Sequence, residues 1–183
     1  MSRILVLYGT SEGHTAKVAR AIAARLAASG VDADVQEAVI GDPLPAAYDG
    51  VVVAASLHSG GYQKAVSKWL RNHAKEFGPR PTAFVSVCLA VLSRDEKTRD
   101  EARAIPHRYV DRLGWQPTMI KVVAGALPYT KYNFFVRWMM KRIVAGAGGD
   151  TDTSRDYEYT DWQDLRAFAD RFAAIVKVRR DAA

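Results

Sequence analysis

The stretch that decides the fold is Ile4-Leu5-Val6-Leu7 followed by Tyr8-Gly9-Thr10-Ser11-Glu12-Gly13-His14-Thr15. The short apolar run predicts a buried strand, and a helical pattern begins at the end of the glycine- and hydroxyl-rich turn. The first N–H groups of a helix lack partners inside the helix, so a junction of this kind favours bound anions. The hydroxyls of Thr10, Ser11 and Thr15 add donors, and Gly13 permits close backbone approach. The stretch therefore predicts a phosphate site.

This turn differs from the two common nucleotide-binding loops. It lacks the Gly-Lys-Ser/Thr end of a Walker loop and the Gly-x-Gly-x-x-Gly dinucleotide pattern. It resembles the flavodoxin phosphate loop, Thr-x-Glu/Thr-Gly-x-Thr, which matches Thr10, Glu12, Gly13 and Thr15. From the loop alone, an ordinary strand-to-helix turn capped by Ser or Thr is the alternative. The position of this stretch after the first strand favours ligand binding, because open α/β sheets bind ligands at the carboxyl ends of their strands.

Composition limits the classes of protein to consider. The 183 residues are 49% hydrophobic and 25% charged, which predicts one globular domain over residues 1–183. Cys88 is the single cysteine, which excludes an intramolecular disulfide, and no signal-peptide pattern is present, so we expect a cytoplasmic protein. No apolar stretch reaches the roughly eighteen residues of a membrane span. The net charge of +6 indicates anionic partners: nucleic acid, lipid head groups or carboxylate-bearing substrates.

Apolar strand patterns and helical patterns alternate along the chain. After the first strand come a weak strand near an edge at 31–36, a β-branched central strand at 51–56, and strands at 82–88 and 119–124. A charged helix is predicted at about 96–113, where Pro106 should kink or split it. Thr160-Asp161-Trp162-Gln163 reads as a capping box that opens the last helix. This alternation predicts a doubly wound, five-stranded parallel sheet.

A long insertion interrupts the alternation at about 126–159. A helical plot of 134–144 places Arg137, Lys141 and Arg142 on one arc with Phe134 and Trp138, and Lys131 precedes them. The plain interpretation is a helix that packs its apolar arc and solvates its charges. Aromatic rings among cations instead favour a membrane interface or a flat acidic ligand. Nucleic acid ranks lower, because the other basic residues are dispersed.

Nearly the whole chain resembles the HemG-type, menaquinone-dependent protoporphyrinogen IX dehydrogenases, a long-chain flavodoxin-like family. The resemblance is most specific at Ala55-Ser56 with Tyr62, Ser86-Val87, Ala124-Gly125-Ala126-Leu127, Gly148-Gly149 with Thr151-Asp152-Thr153, and Tyr159-Thr160-Asp161-Trp162. It implies a flavodoxin-like fold, an FMN cofactor, protoporphyrinogen IX as substrate and menaquinone or ubiquinone as acceptor. It also implies peripheral association with an anionic membrane, at the cytoplasmic face of the inner membrane.

The resemblance also implies roles for individual residues. The cofactor-binding residues are Thr10, Ser11, Glu12, Gly13, His14 and Thr15 at the phosphate, and Ser56, Leu57, Ser86, Val87, Cys88, Leu89, Ala90 and Gly125 around the ring. The residues expected at the substrate or the membrane are Tyr62, Lys131, Phe134, Arg137, Trp138, Lys141 and Arg142. The sequence shows no metal-spaced cluster and no nucleophile with a base, so the flavin is expected to carry the chemistry.

Several alternatives stay open at this stage. Cys88 is a redox thiol or, more in keeping with its buried strand, a small apolar filler. His14 either touches phosphate or is solvated, and the role of His58 is open. The protein is an enzyme, a flavodoxin-like electron carrier, or a general FMN quinone reductase. The identity of the quinone, the ligand of the insertion and a homo-oligomeric state are left open.

Overall fold

Five parallel strands form the centre of the molecule. The computed structural model describes residues 2–39, 48–58, 60–131, 134, 138, 144–145 and 149–181. The strands are β1 (Arg3–Gly9), β2 (Asp32–Glu37), β3 (Gly50–Ser56), β4 (Thr82–Val87) and β5 (Met119–Val123). Their order is β2-β1-β3-β4-β5 and every neighbouring pair is parallel. The predicted five-stranded, doubly wound sheet is confirmed, with β3 at its centre and β2 at its edge.

Helices cover both faces of this sheet. They are α1 (His14–Ala28), α2 (Lys64–His73), α3 (Glu96–Arg112) and α4 (Trp162–Asp181). One apolar core joins α1 and α4 to the sheet, with Ile22 and Phe172 among its fully buried side chains. The other core joins α2 and α3 to the opposite face, around Trp69 and Phe84. Because the central strands bury both faces in this way, the loops at the carboxyl ends carry the polar chemistry.

Of the two effects predicted for Pro106, a split of the charged helix is wrong, and a kink stays a prediction. α3 runs without a break from Glu96 to Arg112, and Pro106 lies inside it with its side chain buried. Ala102, one turn earlier, and Val110, one turn later, are also buried. A proline inside a helix costs about 3 kcal/mol, and packing of the helix on the sheet from both sides of the proline offsets that cost.

The prediction of a capping box at the start of the last helix is also wrong, because a different residue caps the helix. Asp161, not Thr160, caps α4: its Oδ1 accepts the N–H of Asp164 at 2.9 Å. The hydroxyl of Thr160 points instead to the end of β5, where it donates to the carbonyl oxygen of Ala124 at 2.7 Å. An aspartate one residue later offers the helix a charged acceptor, which leaves the threonine free for a tertiary contact.

Two short strands, which the sequence did not predict, hold the ends of the insertion together. β6 (Ala126–Leu127) pairs antiparallel with β7 (Tyr157–Glu158). The N–H of Tyr159 also donates to the carbonyl of Gly125 at 3.1 Å. Leu127, Tyr129 and Val144 form a small third core beside this pair. The insertion therefore leaves the sheet and returns to it at neighbouring points.

The described part of the insertion matches the predicted arcs, of which the apolar one includes Val144. Phe134 and Trp138 are helical and are 86% and 50% exposed, whereas Val144 is 8% exposed. Arg137, Lys141 and Arg142 lie outside the described residues. Among the residues that the structure describes, none of the helices is long and apolar enough to cross a membrane.

Candidate functional site

Four loops meet at the carboxyl edge of the sheet, after β1, β3, β4 and β5. All fourteen predicted cofactor residues lie on these loops or at the strand and helix ends that flank them. The strand pairing brings them together, because Ser56 pairs with Val87 and Val87 pairs with Val123. Parallel strands place their carboxyl ends at one edge, where open α/β sheets bind ligands.

The loop after β1 has the geometry of an anion site. The N–H of Gly13 donates to Oγ1 of Thr10 at 2.9 Å, which folds the loop over the start of α1. Gly13 has φ of 91°, a left-handed conformation that glycine adopts without strain. No described side chain caps α1, and its first turn contains no acidic residue. The unpaired N–H groups and the positive end of the helix dipole are thus available to a phosphate.

Gly9 sets the distance between β1 and α2. A Cβ atom at this position would lie 2.4 Å from Cγ2 of Val66 and 3.2 Å from Cβ of Gln63. Real Cβ contacts are longer, so any larger residue at Gly9 would force α2 away. The glycine thus brings Gln63, the residue before α2, against the loop after β1.

Gln63 links two of the loops and was missed in the sequence. Its Nε2 donates to the hydroxyl of Ser56 and lies 3.4 Å from that of Ser11. Its Oε1 is buried with no hydrogen-bond partner among the described residues. A buried acceptor without a donor costs about 1 to 3 kcal/mol, and a ligand donor at this point would remove that cost. The only sequence signal was its position just before the second helix.

The loops after β3, β4 and β5 are tied to one another by backbone contacts. The N–H of Leu57 donates to the carbonyl of Val87, and the N–H of Cys88 donates to the carbonyl of Val123, both at 2.9 Å. A Cβ atom at Gly125 would lie 3.3 Å from Cγ1 of Val87, so the last loop packs closely on its neighbour. These contacts give the predicted ring-binding residues a fixed frame.

Cys88 and Tyr62 are both neutral groups in this frame. Cys88 is 6% exposed, and burial raises the pKa of its thiol, which fits the apolar filler better than the redox thiol. The hydroxyl of Tyr62 lies 2.9 Å from Oγ of Ser86, and its ring packs edge-on to Phe84. Burial also raises the pKa of Tyr62. Tyr62, predicted at the substrate or membrane, thus lies against β4 through its ring and its hydroxyl.

His14 is held in a chain of hydrogen bonds, so the interpretation of a solvated side chain is wrong. Its Nε2 lies 2.7 Å from Oγ1 of Thr160, whose single proton goes to the carbonyl of Ala124. His14 must therefore donate through Nε2. Its Nδ1 faces Glu158 at 3.8 Å, and Glu158 accepts from Lys17 at 2.6 Å.

The environment of His14 favours its neutral form. Burial is the largest cause of its lowered pKa; Lys17 lowers it further and Glu158 opposes the shift. The hydrogen bond from Lys17 also holds the pKa of Glu158 below its usual value. Thr160 and Ala124, to which the sequence gave no role at the cofactor site, therefore hold the start of α1 through His14.

Lys131 joins the insertion to the phosphate-side loop. Its Nζ donates to the carbonyl of Glu12 at 3.4 Å, beside a cavity of about 260 Å³ between this loop and the β6–β7 pair. The hydroxyl of Ser56 also lies 3.1 Å from Nε2 of His58. Within the described residues, no group of His, Cys, Asp and Glu could hold a metal ion.

The chain matches the family model described as a flavodoxin domain over residues 5–154. Its fold resembles solved flavodoxins at low sequence identity. A flavodoxin from the domain Archaea is 14% identical with a TM-score of 0.57, covering 97% of this chain and 99% of that one. A Pseudomonas aeruginosa flavodoxin, solved as a point mutant, is 15% identical with a TM-score of 0.58, covering 96% and 99%.

Two relatives are considerably closer in sequence, and both are named protoporphyrinogen IX dehydrogenase (quinone). The protein of Escherichia coli strain K12 is 34% identical over 174 residues, which cover 94% of this chain and 96% of the relative. The protein of Leishmania major is 34% identical over 175 residues, which cover 94% of this chain and 75% of the relative. The chain therefore belongs to the flavodoxin-domain family of the protoporphyrinogen IX dehydrogenases (quinone).

Proposed function

We propose that this protein oxidises protoporphyrinogen IX to protoporphyrin IX with an FMN cofactor and passes the electrons to a membrane quinone. The observation that carries the proposal is the 34% identity over 94% of the chain to the E. coli protein of that activity by name. The part of this chain that is not aligned with the E. coli protein is much shorter than the insertion at 126–159, so the alignment includes the insertion. The insertion, which distinguishes this chain from a plain five-stranded sheet, thus has a counterpart in that relative.

The match to a flavodoxin domain supports a flavin cofactor. We assign FMN because the loop after β1 offers one phosphate site and lacks the dinucleotide pattern. Thr10, Ser11 and the first N–H groups of α1 would hold its phosphate, and Leu57 and Cys88 belong to the loops that would flank its ring. When bound, the flavin accepts hydrogen from the substrate and passes electrons to the acceptor.

The protein's own groups would bind and orient the cofactor and the substrate, and they would exclude water from the site. Tyr62 and Cys88 are kept neutral by burial, so they bring no charge to the ring loops. The contacts from Leu57 to Val87 and from Cys88 to Val123 fix the spacing of those loops. A rigid frame of this kind aligns two reactants at little entropic cost.

We further assign the insertion to an anionic membrane surface that carries the quinone. Phe134 and Trp138 expose large rings, and Arg137, Lys141 and Arg142 accompany them in the sequence. Exposed aromatic and basic side chains together bind interfaces of anionic lipid. On this assignment the protein works from the cytoplasmic face of the inner membrane as a peripheral enzyme.

The test is anaerobic mixing of the FMN-loaded protein with protoporphyrinogen IX, followed at the flavin absorbance. We expect the flavin to bleach while porphyrin fluorescence appears, and to regain colour when quinone in lipid vesicles is added. Bleaching by a nicotinamide nucleotide but not by protoporphyrinogen IX would identify a general quinone reductase. Bleaching by neither compound would identify an electron carrier and contradict the proposal.

A further inference from the structure

A groove of about 300 Å³ opens beside the candidate cofactor site, on the side of α3. Two of its residues come from the ring loops and five from the first three turns of the helix: Leu57, Ala90, Lys97, Thr98, Glu101, Ala102 and Ile105. The two loop residues make it continuous with the predicted ring site. The helix residues had no predicted role.

Four of the residues that line this groove are apolar, and two of its three polar residues are paired with side chains outside it. Thr98 donates both its N–H and its hydroxyl to Oδ2 of Asp95, at 2.9 and 2.6 Å. Glu101, which also borders the groove, is ion-paired with Arg108. These contacts satisfy the hydroxyl of Thr98 and the carboxylate of Glu101 from within α3 and its N-cap.

Lys97 is the exception. Its side chain is exposed and borders the groove, and it makes no ion pair with any residue that the structure describes. The two opposite charges one turn further along the helix, Asp100 and Glu101, are already paired with Arg103 and Arg108. The groove thus offers an apolar surface with one ammonium group at its border, which complements an apolar ligand that bears a carboxylate.

We propose that this groove binds a carboxylate-bearing edge of a flat, apolar substrate beside the cofactor, with Lys97 paired to the carboxylate. The inference rests on the proposed function, because protoporphyrinogen IX carries two propionates on an otherwise apolar macrocycle. A quinone bears no anionic group, so it could accept a hydrogen bond from Lys97 but form no ion pair with it. The groove is therefore assigned to the tetrapyrrole and not to the electron acceptor.

The test uses FMN-loaded protein with protoporphyrin IX, the stable product, as the probe, and measures its affinity by porphyrin fluorescence. We expect Lys97→Gln to weaken binding about threefold and Lys97→Glu about tenfold, because the second change adds repulsion to the lost attraction. Lys97→Arg should bind like the native protein. Protoporphyrin IX dimethyl ester, which has no carboxylate, should bind all four proteins equally.

Lys75→Gln is the matched control, because Lys75 is exposed in the short 3-10 turn at the opposite, amino end of the sheet. It should leave the affinity for protoporphyrin IX unchanged. If the native protein oxidises protoporphyrinogen IX while Lys97→Glu binds the probe as tightly as the native protein, the groove assignment fails and the proposed function stands. An equal loss with the dimethyl ester would also overturn the role of Lys97. If the native protein neither binds protoporphyrin IX nor oxidises protoporphyrinogen IX, both proposals fall.

Discussion

Nε2 of His14 lies 2.7 Å from the hydroxyl oxygen of Thr160, although 146 positions separate the two residues in the chain. Thr160 in turn donates to the carbonyl of Ala124, the residue before Gly125 at the end of β5. The start of α1 is thereby fastened to the last loop of the candidate cofactor site through one imidazole. The protonation state of that imidazole is coupled to the stability of the fold.

We predict that His14 makes the protein less stable as the pH falls. Burial lowers its pKa below the ordinary value of 6.5, so the unfolded chain binds the proton more readily than the folded one. Its contribution is fully present above pH 6.5 and is lost as the pH decreases from 6.5 towards the lower folded pKa. Lys17 and Glu158 face the ring with opposite charges, so burial decides the sign.

The measurement compares thermal midpoints at about pH 7.5 and about pH 5.5, on either side of the ordinary histidine pKa. His14→Gln keeps an N–H donor for Thr160 and removes the titration, so its midpoint should fall less than that of the native protein. His107→Gln is the control, because His107 is exposed on α3. If the thermal midpoints of both variants fall as much on acidification as that of the native protein, the assigned role of His14 is incorrect.

The loop after β1 should discriminate flavins by their phosphate. Replacing both Thr10 and Thr15 by alanine removes two hydroxyl donors to a charged acceptor, each worth roughly 1.5 to 3 kcal/mol. We expect the affinity of the apoprotein for FMN to fall at least about a hundredfold in a fluorescence titration. Riboflavin, which lacks the phosphate, is the control ligand and should bind the variant and the native protein alike. Unchanged FMN affinity would show that these hydroxyls do not hold the phosphate.

Any side chain at Gly9 should lower the stability of the protein while Val66 is present. Gly9→Ala places a methyl group 2.4 Å from Cγ2 of Val66, and overpacking of this kind costs about 1 to 3 kcal/mol. Chemical denaturation should show that loss. Gly61→Ala is the control, because the contact of a Cβ there is an ordinary 4.0 Å. In a double-mutant cycle, Gly9→Ala should cost less when Val66 is already alanine, and purely additive effects would contradict the contact.

The basic residues of the insertion should govern membrane binding without affecting the flavin. Changing Arg137, Lys141 and Arg142 together to glutamine removes about 1 kcal/mol of attraction per residue, so binding to anionic vesicles should fall roughly a hundredfold. FMN should stay bound. Salt limits the attraction between exposed charges to about 8 Å at physiological ionic strength. Added salt should therefore release the native protein as well.

A second triple variant makes this comparison a matched one. Arg166, Arg171 and Arg179 are exposed on α4, and changing them to glutamine removes the same net charge from another surface. Vesicle sedimentation at low salt should show strong binding for this control. Equal losses in the two triple variants would mean that net charge, and not the insertion, attracts the protein to lipid.

The sheet could be predicted from the sequence because its signal is local. The β-branched run at 51–56 and the apolar runs around it report burial on both faces, and burial on both faces is what a central parallel strand requires. The phosphate-side loop was equally readable, since Gly13 and its hydroxyl neighbours are consecutive in the chain. Both features depend on residues that stand next to one another.

The missed features depend on residues that are far apart in the sequence. Thr160 looks like a helix cap until the fold brings His14 and Ala124 to its hydroxyl. Gln63 carries no local signal, and its contact with Ser56 depends on how closely α2 approaches β1 at Gly9. The β6–β7 pair is two residues long, which is too short for any alternation of polarity to show.

That two-residue pair also has a consequence for how this protein can change over time. Because β6 and β7 hold the two ends of the insertion side by side, the span of the intervening chain is fixed whatever its length or composition. Lengthening a closed loop costs little, about 0.6 kcal/mol for each doubling. During evolution the intervening segment can therefore be replaced by another that contacts different electron donors or acceptors, while the five strands keep their register.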